Sequence, residues 1–227
     1  MWEEGTSQPA VRLDHVSRVF GPTAAVVQAD LEIETGSVVV LRGGNGAGKS
    51  TLLRIIATEL SPTYGSGSIL GLDLEDKRSA IRRRLALVGH ATHLYGDLTV
   101  EENLHFWTRL AGGSDIGLAS ALERVELVAR ADEQARNLSQ GMRQRLALAC
   151  AIARAPELLL LDEPYSGLDE QGKDMVDELI IETRHAARTV ILASHDLSRP
   201  TSVDREIRMS RGRIVADDRV SGRVNVG

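Results

Sequence analysis

The stretch from Val38 to Thr51, VVVLRGGNGAGKST, restricts what this chain can fold into more than any other. A continuously apolar run such as Val38–Leu41 suits a strand covered on both faces. The residues after it fit the spacing G-x-x-x-x-G-K-[ST], and the segment STLLRIIATEL reads as a helix ending near Ser61-Pro62. The chemistry of such a turn is specific. Glycines let backbone N–H groups converge where side chains would collide, and the helix N-terminus adds partial positive charge, so the loop can cradle phosphate. The candidate nucleotide-binding residues are therefore Gly43, Gly44, Asn45, Gly46, Ala47, Gly48, Lys49, Ser50 and Thr51. Lys49 is the expected partner of β- and γ-phosphates, and the Ser50 hydroxyl is an expected ligand of Mg²⁺. A flexible glycine turn is the competing reading, but it leaves the Lys-Ser pair unexplained.

A phosphate cradle alone says only that a nucleoside triphosphate binds; hydrolysis needs an acid to hold the metal and a group to handle water. Leu158-Leu-Leu-Leu-Asp162-Glu163-Pro164 supplies both, because a buried strand would deliver two carboxylates at its C-terminal end, where ligands of open α/β sheets sit. Asp162 is the expected metal-holding acid, and Glu163 the group that orients and deprotonates water. His195 follows the apolar run Thr189–Ala193, one strand–helix–strand unit beyond Glu163. A lone histidine at a strand end is usually structural, but here a hydrogen-bond donor beside the γ-phosphate is needed.

The rest of the chain fits around these motifs. VRLDHVSRVF and AVVQADLEI read as strands separated by Gly21-Pro22, and a loop with Gly65 and Gly67 is expected before Ser68–Leu72. Thr99-Val-Glu-Glu102 is a capping box, so Thr99 should start a helix that turns Leu104, Trp107 and Leu110 inward; a second helix carries Leu118, Leu122, Val125 and Val128. Helices from Ser139 and Asp169, with a hairpin turning at Arg211-Gly212, complete an α/β fold with a largely parallel sheet.

Composition excludes several classes. The net charge is −5, and the densest basic cluster, Arg82-Arg83-Arg84, reads as a solvated helix face, so nucleic acid is not an expected partner. The one cysteine, Cys150, lies in an Ala- and Leu-rich stretch, where a small buried hydrophobe in a reducing compartment is expected. No apolar run approaches about 18 residues, and Glu3 and Glu4 stand where a basic leader would begin, so neither export nor a membrane span of its own is expected.

The phosphate loop, Leu138-Ser139-Gln140-Gly141-Met142, the Asp162-Glu163 strand, Ser166-Gly167-Leu168-Asp169 and His195, in this order, resemble the nucleotide-binding subunit of ABC transporters across nearly the whole chain. The resemblance implies a P-loop NTPase (RecA-like) core with an N-terminal antiparallel β subdomain and a helical insertion. The expected division is a core of about 1–84 and 157–227 and a helical subdomain of about 85–156 carrying the signature. It also implies ATP with Mg²⁺, and a homodimer formed on ATP binding in which Ser139 and Gly141 of one subunit close over the phosphate held by Lys49 of the other. A separate transmembrane permease is the implied partner, which places the chain on the cytoplasmic side of the cell membrane as a peripheral subunit. Ser139 equally reads as a plain N-cap, and Asp169, which resembles the residue communicating across the dimer, equally reads as a helix cap. Phe20 matches the aromatic on which the family stacks adenine; by itself it reads as a core aromatic.

Three positions depart from the family pattern. His90 stands where a glutamine usually touches Mg²⁺ and the attacking water, so pH-dependent or lowered activity is expected there. Gln140 and Met142 replace a glycine and a glutamine of the signature, while Ser139 and Gly141 remain. Gly89-His90, Leu94, Leu98-Thr99, Glu102-Asn103-Leu104 and Phe106-Trp107 are similar to the ATPase of the cytochrome c maturation system, described as a haem exporter. The alternatives are the ATPase of a two-component drug, lipid or peptide exporter and, from other classes, a soluble ABC ATPase or a weakly hydrolysing ATP switch.

Overall fold

In the computed structural model, which describes residues 8–89, 92–113, 117–195, 198–200 and 202–220, two sheets share one core. Strands β1 (Val11–Phe20), β2 (Thr23–Ile33), β4 (Tyr64–Ile69) and β5 (Leu72–Asp73) form an antiparallel sheet in the order β2-β1-β4-β5. The second sheet runs β10-β9-β3-β8-β7-β6, from β3 (Val38–Arg42), β6 (Leu85–Val88), β7 (Leu158–Asp162), β8 (Thr189–Ala193), β9 (Arg205–Ser210) and β10 (Arg213–Arg219). All its pairings are parallel except the β9–β10 hairpin at the edge.

The apolar runs make these central strands because both faces are covered. Val39, Leu41, Leu158, Leu160 and Ile191 face the antiparallel sheet and helix α1 (Lys49–Ile56). Their alternates, Val38, Val40, Leu159, Leu161 and Val190, face α5 (Gln140–Ala153) and α6 (Glu170–His185). Period-two alternation then carries no polar residue, since neither face meets water. A third cluster joins α3 (Val100–Leu110), α4 (Leu118–Arg124) and α5. Helix α5 belongs to two clusters, Leu148 and Ala151 packing on the sheet and Leu146 and Cys150 on α3 and α4. It is the joint between sheet and helical portion.

Several expectations change. The segment with Gly65 and Gly67 is strand β4, not a loop: a Cβ on Gly67 would lie 2.5 Å from the Arg12 carbonyl oxygen, so glycine is what lets β4 close on β1. The boundary expected at about residue 85 moves, because Leu85–Val88 is β6 and pairs with β7 in the core sheet. The capping box at Thr99 forms, with Leu104 inside, but Leu110 is exposed, as is Val128 after the end of α4. The arginine triplet, on α2 (Arg78–Arg84), is not a uniform solvated face. Arg82 binds Thr58 Oγ1 and carbonyl, and Arg84 forms a two-pronged pair with Glu157. Cys150 is buried, and burial pushes its thiol up to about 12, so it remains protonated and inert.

Candidate functional site

Register brings the site together before any side chain does. Leu41 of β3 pairs with Ala193 of β8, and Ala193 with Asp162 of β7, so three strands end at one level. The Gly-rich loop, His195 and Asp162-Glu163 leave this edge side by side, where the strand order departs from the chain order. Crevices of open α/β sheets form at such points.

The loop is held from behind. A Cβ on Gly43 would lie 2.4 Å from the Met209 carbonyl oxygen, and Gly48, with φ +103, would place one 2.4 Å from the Ala25 carbonyl oxygen. The Gly212 N–H donates to the Ala47 carbonyl at 3.0 Å. Strand β2 and the β9–β10 turn thus clamp the loop against α1, leaving Gly44, Asn45 and Gly46 exposed at its tip. Ala47 is buried and Thr51 half-buried.

Lys49 is buried, and its ammonium donates to the carbonyls of Gly43 at 2.7 Å and Gly44 at 3.3 Å, while lying 3.8 Å from Glu163 Oε1. Ser50 Oγ donates to Asp162 Oδ1 at 2.9 Å. His195 Nδ1 lies 2.8 Å from Glu163 Oε2, and the backbone N–H of His195 approaches the same oxygen at 3.4 Å. Glu163 therefore stands between an ammonium and an imidazole. Its backbone has φ 52, a left-handed conformation that a non-glycine residue holds only when its surroundings impose it, and its N–H is tied to the Ala193 carbonyl at 2.9 Å.

The remaining candidates lie outside this cluster. Ser139 is exposed and caps α5, its Oγ accepting from the Met142 N–H at 3.2 Å, while a Cβ on Gly141 would meet the Gly167 carbonyl at 3.1 Å. Asp169 caps α6 by accepting from the Gly172 N–H at 2.9 Å and also pairs with Arg145 at 2.9 Å. Those bonds, first the one from Gly172, hold its carboxyl below the usual range. Phe20 is not a core residue: it is 43% exposed, with the Arg18 guanidinium 4.6 Å from its ring centroid. His90 lies outside the described residues.

Sequence reading missed Arg42, Tyr165, Asp177 and Arg199, which surround the Glu163 and His195 segments. The one available signal was Tyr165, an aromatic following Asp162-Glu163-Pro164 at a strand end.

The ABC transporter family model matches residues 26–166. The chain is 35% identical over 217 residues to the daunorubicin/doxorubicin resistance ATP-binding protein DrrA of Streptomyces peucetius, covering 92% of this chain and 64% of that one. It is 32% identical over 190 residues to the cytochrome c biogenesis ATP-binding export protein CcmA of Idiomarina loihiensis, covering 84% and 87%. Several other curated relatives are longer still, the chain spanning 38% to 62% of their length. A dimeric ATP-binding cassette solved in a post-hydrolysis state with ADP and Pi superposes with a TM-score of 0.85 at 27% identity, over 93% of this chain and 99% of that one.

Proposed function

The chain belongs to the ABC transporter family, and from that premise we propose that it is an energy-coupling subunit that binds and hydrolyses ATP at the edge where β3, β7 and β8 end. The observation that carries this reading is Glu163 held between Lys49 at 3.8 Å and His195 at 2.8 Å, beside the Gly-rich loop.

The roles follow from chemistry. The β- and γ-phosphates would replace the Gly43 and Gly44 carbonyls as partners of the Lys49 ammonium, at the N-terminus of α1, whose partial positive charge favours an anion. Ser50 Oγ and Asp162 Oδ1, two hard oxygen donors already 2.9 Å apart, fit Mg²⁺. When bound with ATP, that ion supplies charge neutralisation at the phosphates. Glu163 takes a proton from water as its oxygen attacks the γ-phosphorus and the bond to the β-phosphate oxygen breaks, releasing ADP and phosphate. His195 fixes the Glu163 carboxylate and offers a donor to the γ-phosphate. Phe20, exposed at the end of β1, offers an aromatic face to adenine.

Ser139, exposed, and Gly141 stand at the N-terminus of α5, whose partial positive charge suits closure over the phosphate of a second copy. The cassette structure noted above is dimeric. Asp169 would then sit at the seam. In Glu163→Gln we expect ATP binding to persist while turnover falls by about 10²-fold or more, with an ATP-bound dimer accumulating; undiminished steady-state hydrolysis would refute the reading. The same assay on the wild-type chain separates it from a weakly hydrolysing switch.

A membrane partner is supported by a surface feature. Among the described residues no helix is long and apolar enough to cross a membrane. A cavity of ≈ 590 Å³ opens between α2, β6, α3 and α5, lined in part by Leu87, Trp107, Leu110 and Ala151. Beside it Tyr95, Phe106 and Trp107 pack edge to face or tilted at 4.7 to 6.1 Å, with Tyr95, Phe106 and Leu110 exposed. Clustered exposed aromatics, next to a cavity that Arg82, Arg83 and Arg154 also line, mark a protein contact, which we assign to a permease that holds this chain at the cytoplasmic face of the membrane.

For the cargo, export of haem in cytochrome c biogenesis draws support from Gly89-His90 and the segment Leu94–Trp107, and from the relative CcmA. Drug export draws support from the relative DrrA. The membrane protein that co-purifies with the chain decides: a haem-handling protein supports the first, a drug-efflux permease the second.

A further inference from the structure

Glu163 and His195 leave different strands, yet their side chains meet. A cluster to which no role has been assigned ties their two segments to one point. Tyr165, two residues beyond Glu163, is buried and donates its hydroxyl to Asp177 Oδ1 at 2.6 Å. Arg199, four residues beyond His195, donates from Nη1 to Asp177 Oδ2 at 2.7 Å. The two oxygens of one carboxylate on α6 therefore hold one segment each.

Further bonds fix the same arrangement. Arg199 Nη2 reaches Asp174 Oδ1 at 2.7 Å and Glu170 Oε2 at 3.3 Å, so its guanidinium is gripped by three carboxylates of one helix. On the other side the buried Arg42, which links β3 to the Gly-rich loop, donates to the Arg199 carbonyl at 3.0 Å and the Ser194 carbonyl at 3.4 Å. Asp177 is itself buried, and burial pushes its carboxyl up while Tyr165 and Arg199 pull it down. A carboxylate there depends on its partners, because an unpaired buried charge is costly. Glu163, with its left-handed backbone, needs neighbours that impose that conformation, and Tyr165 is anchored two residues away.

We propose that Asp177, with Tyr165 and Arg199, is a positioning device that sets the placement of Glu163 against His195 and thereby governs the chemical step rather than nucleotide affinity. This rests on the reading of Glu163 and His195 as the hydrolytic pair. None of the three residues touches the reacting atoms. Their effect passes through the short backbone from Tyr165 to Glu163 and through Arg42, which joins the Arg199 and Ser194 carbonyls, and a mispositioned base loses rate while the phosphate loop goes on binding ATP.

The test uses the full chain with Tyr165→Phe, which keeps the ring and removes only the hydroxyl, together with Arg199→Gln and Arg199→Lys. Steady-state kcat and KM for ATP, the Kd of a non-hydrolysable ATP analogue and the melting temperature are measured, with Glu163→Gln in parallel. We expect Tyr165→Phe and Arg199→Gln to lower kcat by about 3- to 10-fold, the scale of one hydrogen bond, with KM and Kd unchanged and with Arg199→Lys recovering most of the loss. A lower melting temperature at wild-type kcat per folded molecule, or a raised KM at unchanged kcat, overturns the inference. If Glu163→Gln still turns over, the hydrolytic reading itself falls; if it stops while Tyr165→Phe and Arg199→Gln run at wild-type kcat, only the positioning role falls.

Discussion

Replacing glycines of the phosphate loop by alanine, one at a time, should reveal a graded cost that the motif alone does not contain. At Gly44 an added Cβ meets nothing within 4 Å, so the apo protein should change by no more than about 0.5 kcal/mol. Gly46 also faces open space but has φ +76, so alanine there pays only for left-handed backbone, about 1 kcal/mol. Gly48 combines both penalties: φ is +103, and the new Cβ would lie 2.4 Å from the Ala25 carbonyl oxygen and 3.2 Å from Gly212 Cα. Both contacts are backbone, so relief requires moving β2 or the β9–β10 turn. The expected cost is about 2–5 kcal/mol, from backbone strain and from overpacking. At roughly 2–4 °C per kcal/mol for a chain of this size, the melting temperature should fall by about 4–20 °C. Thermal melts followed by circular dichroism without nucleotide give the order Gly44, Gly46, Gly48. If Gly48→Ala melts with Gly44→Ala, the claim that β2 and the hairpin clamp the loop is wrong.

The capping box and an ion pair give two further tests. Thr99→Ala removes the hydroxyl that accepts the Glu102 N–H at 3.1 Å and should cost about 1 kcal/mol; faster amide exchange at Glu102 is the local signature, and unchanged exchange would count against the cap. The Glu157 carboxyl is held below its usual value of 4.5, first by hydrogen bonding from Arg84. Its folded pKa is thus lower than its unfolded one, so its contribution is complete above about pH 4.5 and disappears as pH falls through the folded value. Both side chains are more than a third exposed, so the contribution is modest and screened. Arg84→Met should flatten that part of the acid denaturation profile, and a mutant with the same acid slope would remove the pair from the account.

What could be read from the chain and what could not divide along a physical line. Strand β3, the Gly-rich loop and α1 are contiguous, and apolar runs, glycine spacing and helix caps act within a few residues. The same holds for β7 with Asp162 and Glu163, for β8, and for the Thr99 box. Strand β4 does not show in the local sequence, because Gly65 and Gly67 serve the close approach of β1, which no local rule contains. Leu110 and Val128 are exposed against expectation because helical spacing shows which residues share a face, not where that face ends or whether a neighbour covers it.

The chain alone determined the phosphate loop, the two carboxylates at a strand end and the histidine one strand away, because each is a local pattern with local chemistry. Tertiary structure decided that β3, β7 and β8 end in one register, that β2 and the β9–β10 turn back the loop, and that Asp177 holds the Tyr165 and Arg199 segments together. Those contacts reach from Tyr165 with Asp177, 12 positions apart, to pairs from opposite ends of the chain such as Ala47 with Gly212. Nothing in the local sequence distinguishes a carboxylate that will meet a buried tyrosine and arginine from one that will face water.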